Sequence, residues 1–381
     1  MAASHLWRCP GPRPLRIATL MVVLVACSGT RAVEAPSRES AGREPPRVIL
    51  VIADGTGISH WTAGVLSSDS MSLWRFPVTG LVDTRNVEGK ITDSAASATA
   101  FATGVLTFNR FIGTGPDSAA LETVMERASR QGMSTGLVAT SSIVHATPAA
   151  FASHVTDRGE YEEIAAQMAR SSVNVLLGGG RAYFDPTLRE DGVDYLGELE
   201  RQRQAVNSAA DLVAAAAPET SGMVGLFADN AMPAADEGRS PTLAQMTGAA
   251  LAVLDRDPDG FLLLVEASQI DWLAHDNQSF DRVASEVLDC DEALHLALDY
   301  VDRTPGALIV VVADHETGGT TVLEGTTGWE LRYSSGGHTA ELVPMFAAGD
   351  GASAFSGLHA IDDVGRLLSA AVLRDREVST D

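Results

Sequence analysis

The sequence predicts an α/β fold in which a mainly parallel central sheet is flanked by helices on both faces. Short apolar runs alternate with longer stretches of helical periodicity, which is the pattern of a sheet built from strand-helix-strand units. The 381 residues are 45% hydrophobic, which is enough for the buried core of one large domain. Neither an internal repeat nor an internal linker divides the chain, and we therefore expect one domain.

Seven apolar runs are the predicted strands, and five periodic stretches are the predicted helices. In chain order the strands are 48–53, 134–140, 173–177, 223–227, 261–265, 308–313 and 342–347. The helices are 121–131, 161–170, 243–254, 281–300 and 361–373. Apolar residues recur at helical spacing in the fourth helix, so Cys290 is predicted to lie in the core and His295 to be a packing or surface residue.

The N-terminal segment has the features of an export signal. Basic residues precede an apolar run at 17–26 that is too short to span a bilayer as a stable helix. The run ends in Leu-Val-Ala followed by Cys27, which resembles the lipobox of bacterial lipoproteins, whose cysteine is acylated. The alternative is an ordinary signal peptide that is cut near residues 31–35, with Cys27 lost. We expect export from a bacterium, as a periplasmic protein or a membrane-anchored lipoprotein.

These features predict four segments. They are a signal peptide at 1–26, a lipid-anchored flexible linker at 27–46, a catalytic domain at 47–375 and a C-terminal tail at 376–381. The formal net charge of -23 argues against a nucleic-acid partner, because nucleic-acid binding needs a basic surface that releases counterions.

Acidic residues follow three of the predicted strands. Asp54 comes after the first strand, Glu266 after the fifth, and Asp314 with His315 after the sixth. In open α/β sheets the ligand crevice lies at the carboxyl ends of the strands. A single Asp there would only favour a turn, but three acids and a histidine predict a site at which they converge.

The small-residue run 93–100, DSAASATA, is predicted to start a helix near Asp93 and Ser94. The plain interpretation is that one of them caps a tightly packed helix. The functional interpretation uses the same geometry, because backbone N–H groups and the helix dipole favour a phosphate and stabilise a serine alkoxide there. A nucleophilic serine also needs a base or a metal ion.

Metal-ligand spacing occurs in two further motifs. Asp271 and His275 are four residues apart, so they share a face if the segment is helical and can grip one metal ion. Asp314 and His315 are adjacent, so both can reach one metal only if the backbone leaves the strand, which the two glycines at 318–319 permit. His338 lies in a glycine-containing loop and is weak evidence by itself.

Together these motifs resemble the alkaline phosphatase family, and the match runs from residue 48 to about residue 348. The blocks that carry the resemblance occur in the family's order: 53–57 (ADGTG), 92–100 (TDSAASATA), 145–149 (HATPA), 154–158 (HVTDR), 266–275 (EASQIDWLAH), 313–315 (ADH) and 337–339 (GHT). The resemblance implies an alkaline-phosphatase-like fold and the hydrolysis of phosphate monoesters through a covalent phosphoserine at Ser94. Two zinc ions and one magnesium ion are implied as cofactors.

The resemblance also implies a role for individual residues. One zinc would be held by Asp271, His275 and His338, a second by Asp54, Asp314 and His315, and the magnesium by Asp54, Thr147 and Glu266, with His145 in contact through water. Arg158 would bind the phosphate oxygens beside Ser94, and Trp272 would lie near the phosphate.

Two other functions remain open from the sequence. A phosphodiesterase of the same superfamily would use a similar metal scaffold, and a lipoprotein could bind phosphate or metal without turnover. Ser94 together with Arg158 favours monoesters, and the complete set of ligands disfavours the binding protein. The segment between His315 and His338 is short for the family, so a dimer built on an extra surface domain is not assumed, although a homodimer is compatible with the sequence.

Overall fold

The computed structural model describes residues 44–373, except 216 and 218. The predicted signal peptide, Cys27, most of the predicted linker and the predicted tail lie outside the described residues. Within the described range, every helix is too short or too polar to cross a bilayer. The last linker residues pack against the domain, since the Pro46 carbonyl accepts a hydrogen bond from the amide of Phe261 at 3.0 Å.

The centre of the molecule is a ten-stranded sheet, in the order β14-β2-β13-β8-β1-β7-β3-β4-β6-β5. Its strands are β1 (Arg47–Ala53), β2 (Val78–Asp83), β3 (Ser134–Ser142), β4 (Val175–Gly179), β5 (Gln204–Ala205), β6 (Met223–Leu226), β7 (Phe261–Ala267), β8 (Ala307–Val312), β13 (Val343–Gly349) and β14 (Gly357–Ala360). The strands β9 (Glu316–Thr317), β10 (Thr320–Glu324), β11 (Trp329–Tyr333) and β12 (His338–Thr339) form two small antiparallel pairs, β10 with β11 and β9 with β12. Within the ten-stranded sheet only β13 runs antiparallel to its neighbours.

Helices cover both faces of this sheet, as predicted. In chain order they are α1 (Ile58–Ser67), α2 (Ser94–Thr103), α3 (Val124–Arg130), α4 (Ala146–Ala152), α5 (Tyr161–Arg170), α6 (Tyr195–Gln202), α7 (Ala209–Ala215), α8 (Leu243–Leu254), α9 (Gln269–His275), α10 (Phe280–Arg303) and α11 (Ile361–Leu373). Strand β1 supplies both hydrophobic cores, because its side chains alternate between the faces. Leu50 and Ile52 pack with α2 to α6 and α11, whereas Ile49 and Val51 pack with α1 and α7 to α10.

All the predicted strands and helices are present, with shifts of a few residues at their ends. Cys290 is fully buried in α10, and His295 on the same helix is largely exposed, which confirms both predictions. The last two strands at one end of the sheet, β2 and β14, were missed because each is short, contains glycine and is only partly buried. The segment between His315 and His338 holds the β10–β11 hairpin.

A buried ion cluster fastens α10 to the loop that precedes α8. The Arg239 guanidinium donates to both carboxylate oxygens of Glu286, at 2.8 and 2.9 Å, and to Asp289 at 2.6 Å. The Arg239 and Glu286 side chains are 1% and 2% exposed. Burial raises the pKa values of Glu286 and Asp289, and the arginine opposes that shift. The cluster therefore depends on its one cation.

We expect Arg239→Met to destabilise the fold by about 3–5 kcal/mol, because it leaves two buried carboxylates without their cation. The matched control is Arg85→Met, whose arginine is 57% exposed in its pair with Asp83, and it should change the stability far less. Urea unfolding of the metal-loaded protein, followed by circular dichroism, measures both. Equal losses in the two variants would show that the Arg239 cluster contributes no more than a surface pair.

Candidate active site and metal centre

Three neighbouring parallel strands bring the predicted acids together. Strand β1 lies between β8 and β7, and Ile52 of β1 is paired in register with Glu266 of β7. Asp54 follows the end of β1, and Asp314 lies two residues after β8. Glu266 is inside β7, one residue before its end, and does not follow the strand. All three carboxylates are fully buried, so the edge of the sheet forms an acidic pocket.

One candidate metal site consists of Asp54, Asp314 and His315, whose ligand atoms lie within 4.8 Å of one another. The backbone leaves β8 after Val312, which lets Asp314 and His315 reach the same point. Nε2 of His315 is 3.2 Å from Asp314 Oδ2 and 3.6 Å from Asp54 Oδ1. The same nitrogen is 3.3 Å from the Ser94 hydroxyl oxygen. This site is therefore adjacent to the candidate nucleophile.

A second candidate metal site consists of Asp271, His275 and His338. Helix α9 carries Asp271 and His275 on one face, as the spacing predicts, and β12 brings in His338. Nε2 of His275 lies 3.4 Å from Asp271 Oδ2 and 3.1 Å from Nε2 of His338. Nδ1 of His275 donates to the Gly336 carbonyl oxygen at 2.8 Å, and Nδ1 of His338 donates to the Thr92 carbonyl oxygen at 2.9 Å. These bonds leave the Nε2 lone pairs free for a metal ion.

Asp54, His145 and Glu266 form a third group whose ligand atoms also lie within 4.8 Å of one another. The resemblance implied that His145 makes contact through water, and the spacing of this group is compatible with direct contact as well. Several buried atoms here have no hydrogen-bond partner among the described residues: both carboxylate oxygens of Asp54, Glu266 Oε1, His145 Nδ1 and Thr147 Oγ1. Buried polar atoms without partners are costly. The donor set therefore fits a divalent cation.

Electrostatics supports the same conclusion. Burial, and then repulsion from Asp314, Asp271 and Glu266, raises the pKa of Asp54 well above its ordinary value. Burial raises the pKa of Glu266 to about 7. Burial and the nearby His338 lower the pKa of His315 well below its usual range, so its imidazole is neutral and able to bind a metal. Divalent cations would neutralise this group of carboxylates.

Ser94 is the first residue of α2, and the Asp93 side chain caps that helix by accepting a hydrogen bond from the amide of Ala96 at 3.0 Å. The motif is therefore compatible with both interpretations, because Asp93 caps the helix and the Ser94 hydroxyl remains available as a nucleophile. Ser94 is 3% exposed, and its only hydrogen-bond partner among the described residues is His315. The positive end of the helix points at the metal cluster.

The Arg158 guanidinium lies beside this serine. Its Nη1 donates to Asp93 Oδ2 at 3.2 Å, and its Nη2 is 3.2 Å from Nε2 of His145. Burial and the Arg158 charge lower the pKa of His145 to about 3, so that ring is neutral. Trp272 packs edge-on against the His145 ring, with the centroids 5.7 Å apart. Arg158 therefore connects the cap of the nucleophile helix to the third metal group.

Two residues of this site were missed by the sequence analysis. The Thr317 hydroxyl donates to Asp271 Oδ1 at 2.5 Å and lies 3.2 Å from Nδ1 of His315. A hydroxyl has one proton, so Nδ1 of His315 is the donor to Thr317. Glu316 accepts hydrogen bonds from the amides of Gly319 and Thr320 and from the Thr339 hydroxyl, which fixes the loop next to His338. No sequence signal marks either residue, because the Asp271 partner of Thr317 and the Thr339 partner of Glu316 lie 46 and 23 positions away.

Gly55 shows how closely the segments approach. Its φ of 67° is in the left-handed region, and a Cβ there would lie 2.6 Å from Asp271 Oδ1. The Gly55 amide donates to Asp314 Oδ1 at 3.1 Å. The glycine therefore lets the carboxylates of Asp271 and Asp314 approach the same turn after β1.

Comparison with known proteins adds independent observations. A family model described as alkaline phosphatase matches residues 47–334. Alkaline phosphatase 4 of Bacillus subtilis is 33% identical over 340 residues, which cover 83% of this chain and 70% of that protein. Streptomycin-6-phosphate phosphatase of Streptomyces griseus is 32% identical over 372 residues, which cover 81% of each.

A solved structure gives the same result for the fold. The alkaline phosphatase from the Antarctic bacterium TAB5 superposes with a TM-score of 0.81 and 35% identity, covering 87% of this chain and 98% of that chain. Two variants of that enzyme, with one histidine replaced by glutamate or by aspartate, have magnesium bound in a site called M3.

We expect the chelated protein to lose thermal stability as the pH rises from about 4.5 to about 7. Glu266 has a pKa of about 7 when folded, against an ordinary value of 4.5. The unfolded chain ionises first, so the folded state holds more protons in this window and its free energy of unfolding falls with rising pH. Circular dichroism at several pH values measures the unfolding midpoint.

The control variant is Glu266→Gln, which removes this titrating group and should flatten the pH dependence of the chelated protein. Restoring zinc and magnesium should also flatten it, because the cations replace the protons. A chelated wild-type midpoint that stays level or rises over this window would contradict the prediction.

Proposed function

Since the chain belongs to the alkaline phosphatase family, we propose that it hydrolyses phosphate monoesters through a covalent phosphoserine at Ser94. It is a phosphatase of a metal-dependent family, and the noncatalytic lipoprotein is set aside. The observation that carries the proposal is the position of the Ser94 hydroxyl. This hydroxyl lies at the N-terminus of α2 and is 3.3 Å from a ring nitrogen of a candidate metal site.

The proposed reaction has two balanced steps. Ser94 Oγ loses its proton and forms a bond to phosphorus while the bond from phosphorus to the ester oxygen breaks, and that oxygen gains a proton and leaves as the alcohol. A water molecule then loses a proton and attacks the phosphoserine, the bond from phosphorus to Oγ breaks, Oγ regains a proton, and inorganic phosphate leaves. The guanidinium of Arg158 can donate hydrogen bonds to two phosphoryl oxygens, and the backbone amides of the first turn of α2 can donate to a third.

Metal ions would be held by the three groups described above. The groups that contain His315 and that contain His275 with His338 supply imidazole and carboxylate ligands and suit zinc. In the third group Asp54, Glu266 and Thr147 supply oxygen ligands, which suit magnesium, with His145 in contact through water. When bound, such cations lower the pKa of a hydroxyl or a water molecule and neutralise charge on a departing oxygen. The chain's own task is to hold the Ser94 hydroxyl and the Arg158 guanidinium at fixed positions around the phosphoryl group, and Asp93, which precedes Ser94 and accepts a hydrogen bond from Arg158, connects them.

Monoesters are the preferred substrate class in this proposal. The Streptomyces griseus relative is named for streptomycin 6-phosphate, and the relatives with the family name are phosphatases. Export with a lipid anchor at Cys27 belongs to the same proposal and rests on the sequence of the N-terminal segment. Mass spectrometry of the N-terminus of the membrane fraction tests it, and a mature chain that begins after Cys27 would refute the anchor.

The test is hydrolysis of a chromogenic phosphate monoester by residues 28–381 at pH ~7 to ~10, with the diester of the same leaving group in parallel. We expect chelation to abolish activity, zinc and magnesium together to restore it, and kcat/KM to favour the monoester. Ser94→Ala should lower kcat by at least ~1,000-fold, because the covalent step is lost.

Ser171→Ala is the control variant, because the Ser171 hydroxyl only donates to the Met168 carbonyl at the end of α5. It should keep full activity. Acid quenching during turnover, followed by peptide mass spectrometry, should find phosphate on Ser94. Full activity of Ser94→Ala, or a quenched enzyme without phosphoserine, would reject the covalent mechanism, and a higher kcat/KM on the diester would favour the phosphodiesterase.

His145→Asp should raise the magnesium affinity of the third site by roughly tenfold, because magnesium prefers oxygen ligands and the carboxylate adds a negative charge. The magnesium-bound TAB5 variants with a carboxylate in place of a histidine support this expectation. His145→Asn is the matched control, since it supplies a neutral oxygen of similar size and should give a smaller gain. Magnesium titration by calorimetry on zinc-loaded protein measures the affinities, and equal affinities in the three proteins would contradict the prediction.

A further inference from the structure

Arg110 has a backbone conformation that is unusual for its residue type. Its φ is 74°, in the left-handed region, where a side chain with a Cβ is disfavoured. Strained residues of this kind persist only when the surrounding structure holds them, and they cluster at functional sites. The contacts of Arg110 identify what this conformation serves.

The main chain of Arg110 contacts Asp93, which precedes Ser94, and Arg158, which is proposed to bind the phosphate. Its amide donates to the two carboxylate oxygens of Asp93, at 3.1 Å each. Its carbonyl accepts a hydrogen bond from the amide of Arg158 at 2.8 Å. Asp93 caps the helix that begins with Ser94, so one residue joins the nucleophile helix to the segment that carries the phosphate-binding arginine.

The side chain of Arg110 strengthens the same connection. Its guanidinium forms two hydrogen bonds with Asp157, at 3.1 and 2.6 Å, and Asp157 directly precedes Arg158. Asp157 also accepts a hydrogen bond from the amide of Gly159 at 2.7 Å, so it closes the turn around Arg158. The arginine side chain is 57% exposed, and an ion pair this exposed contributes little by itself. The main-chain bonds are therefore the larger contribution.

We propose that Arg110 is a positioning residue that fixes the Arg158 guanidinium relative to Ser94. The left-handed conformation turns the Arg110 amide toward Asp93 and its carbonyl toward Arg158 at the same time. Asp93 in turn accepts a hydrogen bond from Arg158 Nη1 at 3.2 Å. The inference rests on the proposed function, because it assigns Arg158 to the phosphate, and it adds the residue that sets the distance between the two groups.

The test separates the backbone from the side chain of residue 110. Arg110→Val places a β-branched residue where φ is positive, so the main-chain bonds to Asp93 and Arg158 are displaced. We expect its affinity for inorganic phosphate, measured by calorimetry on metal-loaded protein, to fall at least ~10-fold, with KM rising more than kcat falls. Arg110→Gly adopts the same φ without strain and loses only the Asp157 pair, so its loss should stay below ~3-fold.

Two controls match these changes elsewhere in the chain. Ser118→Val introduces the same kind of strain at a φ of 64° in an exposed loop. Arg85→Gly removes an arginine that is also 57% exposed and also pairs with an aspartate, Asp83, through two nitrogens. Neither should change phosphate affinity. The unfolding midpoint of every variant is measured in parallel, and Asp157→Asn tests the side-chain pair should Arg110→Val fail to fold.

A double-mutant cycle shows whether Arg110 acts through Arg158. Arg110→Val should not weaken phosphate binding further when Arg158 is already alanine. Additive losses, an unchanged affinity in Arg110→Val, or an equal loss in Arg110→Val and Arg110→Gly would each overturn the proposal. Phosphate binding is measured without turnover, so a protein that binds phosphate in this Arg110-dependent way but fails to hydrolyse monoesters would reject the proposed function and keep the positioning role.

Discussion

The mutual repulsion of buried carboxylates is the constraint on which this structure depends. Strands β8, β1 and β7 are adjacent and parallel, so their carboxyl ends place Asp54, Asp314 and Glu266 in one pocket, where burial and like charge raise their pKa values. Such a group is stable at neutral pH only if cations or protons compensate it. The hydrophobic cores on the two faces of the sheet supply the rigidity that keeps these side chains in place.

The same geometry resolves the conflict between a chain of net charge -23 and an anionic substrate. The net charge is summed over the whole protein, whereas the substrate would interact with a few groups in the pocket. These are the N-terminus of α2, the Arg158 guanidinium and the bound cations. The His145 ring next to Arg158 is neutral, and Asp93 accepts a hydrogen bond from Nη1 of Arg158. A positive pocket within an acidic protein needs only these few contacts.

The sequence predicts those parts of the fold and of the site whose signal lies in neighbouring residues. The strands of the sheet centre are continuous apolar runs, and Asp271 with His275 has a helical spacing, so both were predictable. Strands β2 and β14 were not, because short, partly buried strands of mixed polarity have no distinctive pattern. Thr317 and Arg110 were also missed, since their importance comes from partners more than 40 positions away, Asp271 and Arg158.

The candidate nucleophile Ser94 and the candidate metal ligands are held by one continuous set of contacts, and this is why the site must be treated as a unit. The Thr92 carbonyl accepts a hydrogen bond from His338, and Thr92 lies two residues before Ser94, so a shift of the nucleophile helix would also turn a metal ligand. The His338 ring stacks on His315 with the centroids 3.5 Å apart, and Thr317 joins His315 to Asp271. A substitution at one of these positions therefore alters both candidate metal sites, and its effects will not be additive with those of its neighbours.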